Sequence, residues 1–336
     1  SDYKKINENM EVFATQGKSK YHSMIKMYLI GNKIIKKNKV DIIATQDPFL
    51  TGLIGWMLSK KWKIPFSVCV YGANPYDEYF TRESYIYRYF NFIAKGILKA
   101  ANGIQVDGRK VQKDLVKNGI MESKIYYKPM IPYNISKFFE INPNTVFRES
   151  WEFIFVGRLT YQKNLPMLFN ILKKIKSDGI LFHTTVIGGG ADHAKLQDII
   201  YQLDLGKEID LIGQVPHSQV IEFMKNSDLF LLPSNYEGFP RVLMEASAIG
   251  LPIVSTNISG ADDIIIEGKT GYIVPIGDED EFYQKVLQIL KDMKDKRNII
   301  VKSSKTHMRA IAAKYNDLSK QIKIWNSISK SYTNDY

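Results

Sequence analysis

Asp228-Leu229-Phe230-Leu231-Leu232-Pro233-Ser234-Asn235-Tyr236-Glu237-Gly238-Phe239-Pro240-Arg241-Val242-Leu243-Met244-Glu245-Ala246 reads as one strand, one loop and one helix. Asp228 to Leu232 is a short apolar run, the composition of a strand buried on both faces. The loop that follows carries an acid, Glu237. Gly238 lets a ligand come close to the backbone, and Pro240 suits a first-turn position, where its missing N–H costs nothing. The helix from Arg241 to Ile249 then carries a second acid, Glu245. A buried strand feeding a helix through a polar loop is the repeating unit of an open parallel α/β sheet.

The same alternation extends in both directions. Toward the N-terminus of this half lie Glu152 to Val156 (strand), Leu165 to Lys176 (helix), Leu181 to Ile187 (strand), Ala191 to Leu203 (helix), Ile209 to Ile212 (strand) and Val220 to Asn226 (helix), and Pro252 to Thr256 (strand) follows. The first half repeats the theme with Val40 to Ala44, Ile64 to Val70 and Gly103 to Val106 as strands and Leu50 to Lys61 as a helix. Tyr76 to Lys99 is rich in aromatics and reads as helical. Pro129, Pro132 and Pro143 punctuate a stretch of little periodicity, so the linker is expected over Pro129 to Ser150. The sequence thus predicts an α/β protein of two doubly wound, Rossmann-like domains facing a cleft, 1–145 and 146–315, with a final helix over 316–336 that crosses back to the first domain.

Its 336 residues, 45% of them hydrophobic, suffice for two cores and exclude disorder and small disulfide scaffolds. The charge is unevenly spread. Up to Thr145 there are 23 Lys and Arg against 12 Asp and Glu, and after it 23 of each, so the whole net charge of +11 belongs to the first half. Cys69 is the only cysteine, which excludes an intrachain disulfide and fits a reducing, intracellular compartment. No apolar run reaches the roughly 18 to 20 residues needed to span a bilayer. Ser1-Asp2-Tyr3-Lys4-Lys5 is no signal peptide, and the missing initial Met implies a longer parent.

Several positions carry chemistry. Glu237 and Glu245 stand about 10 Å apart or more from helical rise, too far to share one water but suited to two hydroxyl-bearing groups of an elongated ligand. Phe155-Val156-Gly157-Arg158-Leu159-Thr160-Tyr161-Gln162-Lys163-Asn164 takes a strand through Gly157 into a loop with two cations and then a helix. Cations there, beside a helix N-terminus, make a diphosphate site. Gly188-Gly189-Gly190 lacks a dinucleotide or P-loop pattern and reads as a tight strand-to-helix turn. Asp278-Glu279-Asp280 spells a metal motif but precedes a helical pattern, where first-turn acids serve as caps. The five histidines (His22, His183, His193, His217, His307) show no ligand spacing, so no metal site is expected.

Val156-Gly157-Arg158 with Lys163, Leu211-Ile212-Gly213-Gln214-Val215, the Glu237 to Glu245 stretch, Gly250-Leu251-Pro252 and Gly268-Lys269-Thr270-Gly271-Tyr272-Ile273-Val274-Pro275 resemble, in order and spacing, the retaining glycosyltransferases of the GT-B fold, family four. The resemblance implies a nucleoside-diphosphate sugar as donor and no further cofactor. It matches Arg158 and Lys163 to the diphosphate-binding cations, Glu237 to the acid near the donor sugar and Glu245 to the acid on the ribose. Gly213, Gln214 and Val215 match the loop at the nucleobase, and Gly157, Gly238, Phe239, Pro240 and Val242 lie along the same ligand. It implies a metal-independent enzyme with Arg158, Lys163 and Glu237 as catalytic residues.

The first half matches less well. Asp41 to Phe49 and Cys69-Val70-Tyr71-Gly72 resemble its strands and turns, yet Tyr71 stands where many members have a histidine. Nothing before Val40 reads as the opening strand and glycine-rich loop, so the first domain is expected to lack them. The aromatic and basic segment Tyr76 to Lys99, with Lys33, Lys36, Lys37, Lys39, Lys60, Lys61 and Lys63, is the expected face for an acceptor or an anionic membrane. No nucleic-acid motif accompanies these charges. The reading is a cytoplasmic, peripheral enzyme of cell-surface glycan synthesis that moves a sugar to a lipid-linked or polysaccharide acceptor. A catalytically silent nucleotide-sugar-binding partner subunit, suggested by Tyr71 and the start of the chain, is the alternative, and an epimerase of the same fold a third.

Overall fold

The computed structural model describes residues 3–7, 10–13, 19–72, 74–83, 85–132, 134–144, 149–315 and 322–328. Ser1, Asp2, Thr145, residues 316–321 and 329–336, and the side chains of Tyr87 and Tyr89 lie outside the description. Two parallel sheets carry the fold. The first orders β3 (Ile43–Thr45), β4 (Phe66–Val70), β5 (Gly103–Val106) and β6 (Ile125–Tyr127) consecutively, behind a separate antiparallel hairpin of β1 (Tyr3–Asn7) and β2 (Met10–Phe13). The hairpin pairs with itself and is not a strand of the parallel sheet, and its five- and four-residue strands are too short to stand out as periodic runs in the sequence.

The second sheet contains β7 (Trp151–Val156), β8 (Phe182–Ile187), β9 (Ile209–Gly213), β10 (Leu229–Leu232), β11 (Ile253–Thr256) and β12 (Gly271–Val274), in the order β12-β11-β10-β7-β8-β9. All its strand pairs are parallel. Every residue of β10 and β11 is buried, because helices cover both faces, whereas in the edge strand β9 only Ile209 is buried and the positions after it alternate between exposed and half-buried. Phe153, Phe155, Phe169, Phe230 and Phe282 fill the core on either side of this sheet. The helix Leu165–Ser177 shows how the sequence builds that layer. Leu165, Leu168, Phe169, Leu172 and Ile175 recur at helical spacing and are buried, Pro166 occupies the first turn, and Gly179 beyond the end turns back at φ +74°.

The expected linker is more ordered than its composition indicates. Ile135–Phe139 forms a short helix whose Ile135 and Phe138 are buried in the second core. Five residues behind Pro132 give no periodicity to read. The buried Lys305, on the long helix Glu279–Tyr315, clamps the segment by donating to Phe139 O (3.3 Å), Ile141 O (2.5 Å) and Asn142 Oδ1 (2.8 Å). Tyr76 to Lys99 holds two helices, Glu78–Arg82 and Tyr85–Ala100, the first capped by Asp77. At the far end of the chain, Tyr315 packs edge-on against Tyr127 of the first sheet, with ring centroids 5.6 Å apart. Ile328, in the helical residues 322–328, sits so close to Gly103 that a Cβ there would be 2.4 Å from its Cδ1.

Candidate active site

The strand order of the second sheet reverses between β7 and β10, which pair side by side through Leu229 with Phe153 and Phe230 with Ile154. Their following loops leave the sheet in opposite directions, opening the crevice where such folds hold ligands. The two loops are stitched together there. Asn235 donates its backbone N–H to Gln162 O and its side-chain amide to Tyr161 O, both at 2.8 Å, while Thr256 of β11 donates to Ser234 O at 2.6 Å.

Glu237 is the centre of this arrangement. Its Oε1 accepts from Lys163 Nζ and from Ser234 Oγ (3.0 Å), and its Oε2 from Gln162 Nε2 (3.1 Å). Gln162 also donates to Tyr236 O and accepts from Arg158 Nη2, each at 3.1 Å. The Lys163 and Glu237 side chains are each only 10% exposed, so the pair is shielded from water and each charge depends on the other. Arg158 stays open to solvent. Gly157 is tightly enclosed: a Cβ there would meet Lys163 Cε at 3.1 Å. The glycine run serves as packing, since a Cβ on Gly188 or Gly190 would fall 1.8 Å from Gly157 O or 2.1 Å from Leu159 O. Asp278 caps its helix by accepting from Glu281 N at 2.9 Å.

On the other side of the crevice Glu245 lies on the helix Arg241–Ile249, its side chain 13% exposed. Burial raises its pKa, opposed by the adjacent His217, whose Nε2 is 3.2 Å from Glu245 Oε1. Gly213 ends β9 at φ +79° and accepts from Gly188 N at 2.8 Å. Gln214 is exposed beside the glycine run, and Val215 and Val242 rest against the core. Phe239 is buried against Gly260. Pro240 takes the cap position just before the helix rather than a place in its first turn.

The first domain closes the crevice at Gly238, where a Cβ would lie 2.3 Å from Gly72 N and 2.8 Å from Gly72 Cα. Only two glycines allow the two backbones to come this near. Tyr71 accepts from Gln105 Nε2 and its pKa is raised, chiefly by burial. Asp107, directly after β5, is 3% exposed. Burial pushes its pKa up to about 7, with Glu237 across the crevice adding to the rise against the pull of a backbone hydrogen bond. Further seams join the domains: Arg109 Nε donates to Asp263 Oδ1 at 2.7 Å, Tyr79 Oη to Ile276 O at 3.4 Å, and Tyr236 Oη to Glu83.

The structure therefore brings Arg158, Lys163, Glu237, Gly157 and Gly238 into one cluster and sets Gly213 to Val215 and Glu245 on neighbouring strand and helix ends. Four further residues of the site, Gln162, Ser234, His217 and Asp107, are not singled out by sequence. Gln162 and Ser234 are ordinary loop polars within their stretches, and His217 lacks the spacing that would mark a metal ligand. Among the described residues no three His, Cys, Asp or Glu side chains gather as metal ligands.

Two parallel α/β domains meeting at a crevice, with cations and acids at the switch point of the second, have the architecture of the GT-B class. Residues 136–307 match the family described as Glycosyl transferases group 1, and the chain belongs to it. It is 25% identical over 271 residues to the uncharacterized glycosyltransferase MJ1178 of Methanocaldococcus jannaschii, covering 80% of this chain and 71% of that one. A second relative, the UDP-Gal:alpha-D-GlcNAc-diphosphoundecaprenol alpha-1,3-galactosyltransferase of Escherichia coli, is 26% identical over 287 residues, covering 80% of this chain and 70% of that one. The amylovoran biosynthesis glycosyltransferase AmsK of Erwinia amylovora is 36% identical over 129 residues, which span 37% of this chain and about a third (32%) of AmsK. Among solved structures, the sucrose-phosphate synthase of Thermosynechococcus elongatus superimposes with a TM-score of 0.77 at 19% identity, covering 96% of this chain and 86% of that one.

Proposed function

We propose that this chain moves a sugar, with retention of configuration, from a nucleoside diphosphate to a lipid-linked or polysaccharide acceptor, without a metal ion or a resident cofactor. The observation that carries this reading is the convergence of Lys163, Gln162 and Ser234 on Glu237 at the switch point, with Arg158 hydrogen-bonded to Gln162. Cleavage of the bond between the anomeric carbon and the diphosphate oxygen leaves negative charge on the diphosphate. Arg158 and Lys163 stabilise it, more strongly in the transition state than before it. Glu237 orients the sugar, and Glu245 accepts from the ribose hydroxyls. The acceptor oxygen bonds to the anomeric carbon on the face the diphosphate leaves, and the departing phosphate oxygen takes the acceptor's proton. The names of the Escherichia coli and Erwinia relatives supply the acceptor classes.

The acceptor side is assigned to the basic first domain. Among the described residues no helix is long and apolar enough to cross a membrane. Two helices there do present apolar residues beside cations. On Lys20–Lys37, Ile25 and Leu29 are 61% and 58% exposed near the open Lys33, Lys36 and Lys37. On Tyr85–Ala100, Tyr85 and Phe92 are 89% and 86% exposed near Arg88 and Lys99. Such faces suit peripheral contact with an anionic leaflet. Liposomes containing anionic lipid should hold the protein at low salt and release it at high salt, with donor binding unchanged. The enzymatic reading is tested by donor turnover: Arg158→Ala or Glu237→Ala should lower it by about 100-fold or more, and near-normal rates in both variants would sink it.

A further inference from the structure

One carboxyl in the crevice has no part in the diphosphate or ribose contacts. Asp107 stands at the carboxyl end of β5, the end of a parallel strand at which ligands meet such sheets. Its Oδ1 is buried and has no hydrogen-bond partner, an arrangement that native proteins rarely keep without a use. The next residue, Gly108, touches the other domain: a Cβ there would be 1.7 Å from Ser259 Oγ and 3.1 Å from Gly238 O. Ser259 Oγ is also buried without a partner. One unsatisfied polar group from each domain therefore lies at the same seam, beside the loop that carries Glu237.

The chemistry of the surroundings selects the ligand. The groups that act on Asp107 are its own backbone and Glu237, and those on which it acts are Tyr71 and Cys69; no Lys or Arg is among them. Glu237 has Lys163 as its cation, whereas no Lys or Arg acts on Asp107, and a carboxyl without a cation of its own disfavours phosphate. A carboxyl that burial keeps protonated to about neutral pH is matched instead to a neutral hydroxyl, which both donates and accepts. We infer that Asp107 binds a hydroxyl of the sugar being transferred, from the first-domain side opposite Glu237, and so helps to select that sugar. The inference rests on the nucleotide-sugar reading above.

The test uses the full chain and its Asp107→Ala and Asp107→Asn variants, with UDP, UDP-glucose, UDP-galactose, GDP and GDP-mannose as probes. Calorimetry gives the affinity for each diphosphate, and donor turnover gives kcat/KM for each sugar. Asp107→Ala should bind the preferred diphosphate within about threefold of wild type, lose about tenfold or more in kcat/KM for the preferred sugar, and discriminate less between sugars, with Asp107→Asn recovering part of the loss. Donor kcat/KM within about threefold of wild type in Asp107→Ala overturns the assignment. Parallel loss of diphosphate affinity in both variants also overturns it, because Asp107 would then act through the fold. If the wild-type chain binds none of these probes and none of the corresponding ADP-, CDP- and dTDP-sugars, the nucleotide-sugar reading itself fails, and this inference with it.

Discussion

Replacing Asp107 by Asn should stabilise the protein, and by an amount that depends on pH. Unfolded, an aspartate ionises near its ordinary value of 3.8, whereas in the folded chain burial holds the Asp107 proton to about 7. Between these values the folded state binds a proton that the unfolded state has released, so stability falls as pH rises. The contribution is fully present below about pH 4 and lost above about pH 7. A shift of about three units, at about 1.4 kcal/mol each, amounts to roughly 4 kcal/mol once the buried carboxyl ionises. About a third of that loss is already incurred at pH 5, so the change from pH 5 to pH 8 is about 3 kcal/mol. The amide of the Asp107→Asn variant keeps the shape of the carboxyl and does not titrate. Thermal unfolding of both proteins at the two pH values reads the difference. At roughly 1–2 °C per kcal/mol for a chain of 336 residues, the variant should gain on the order of 3–6 °C over wild type between pH 5 and pH 8. The same offset at both pH values would show that Asp107 ionises normally and would refute the argument from its burial.

Three other outcomes follow from single contacts. Gly238→Ala puts a Cβ 2.3 Å from Gly72 N, a backbone atom that cannot yield, so the domains must part. Small-angle scattering should show a larger radius of gyration and transfer should nearly vanish with helix content intact; an unchanged radius would count against the closure described above. Lys305→Met leaves Phe139 O, Ile141 O and Asn142 Oδ1 without their shared donor and should cost about 2–4 kcal/mol in denaturant unfolding, with a loss below about 0.5 kcal/mol as the contrary result. Glu245→Gln should weaken nucleoside-diphosphate binding by about tenfold or more, while melting in its absence stays within about 2 °C of wild type. Equal affinities would remove Glu245 from the ribose.

Much of the fold is legible in the sequence. Gly103–Val106 and Arg241–Ile249 form the elements expected, to the residue, because turn residues or a proline bound each of them. The helix Ile135–Phe139 is not legible, since five residues hold too little of a 3.6-residue period to be read, and its existence depends on the core that receives Ile135 and Phe138. The hairpin of β1 and β2 escapes for a similar reason. In the site, Glu237 and Lys163 stand out by residue type and setting. That each pairs with the other does not, because 74 residues separate them in the chain. His217 reaches Glu245 across 28 residues, and neither position carries a local mark of it.

By itself the sequence determined what is encoded within a dozen or so neighbouring residues, namely strand and helix alternation and the glycines and prolines that end elements, together with a net positive charge confined to the first half. Those are properties of local periodicity, turn chemistry and composition. Tertiary structure alone decided that β7 and β10 lie side by side, so that loops some 75 residues apart become one site, and that Gly72 meets Gly238. It also decided the state of Asp107. A carboxyl's ionisation depends on the water and charges around it, and at this position those are set by chain segments distant in sequence.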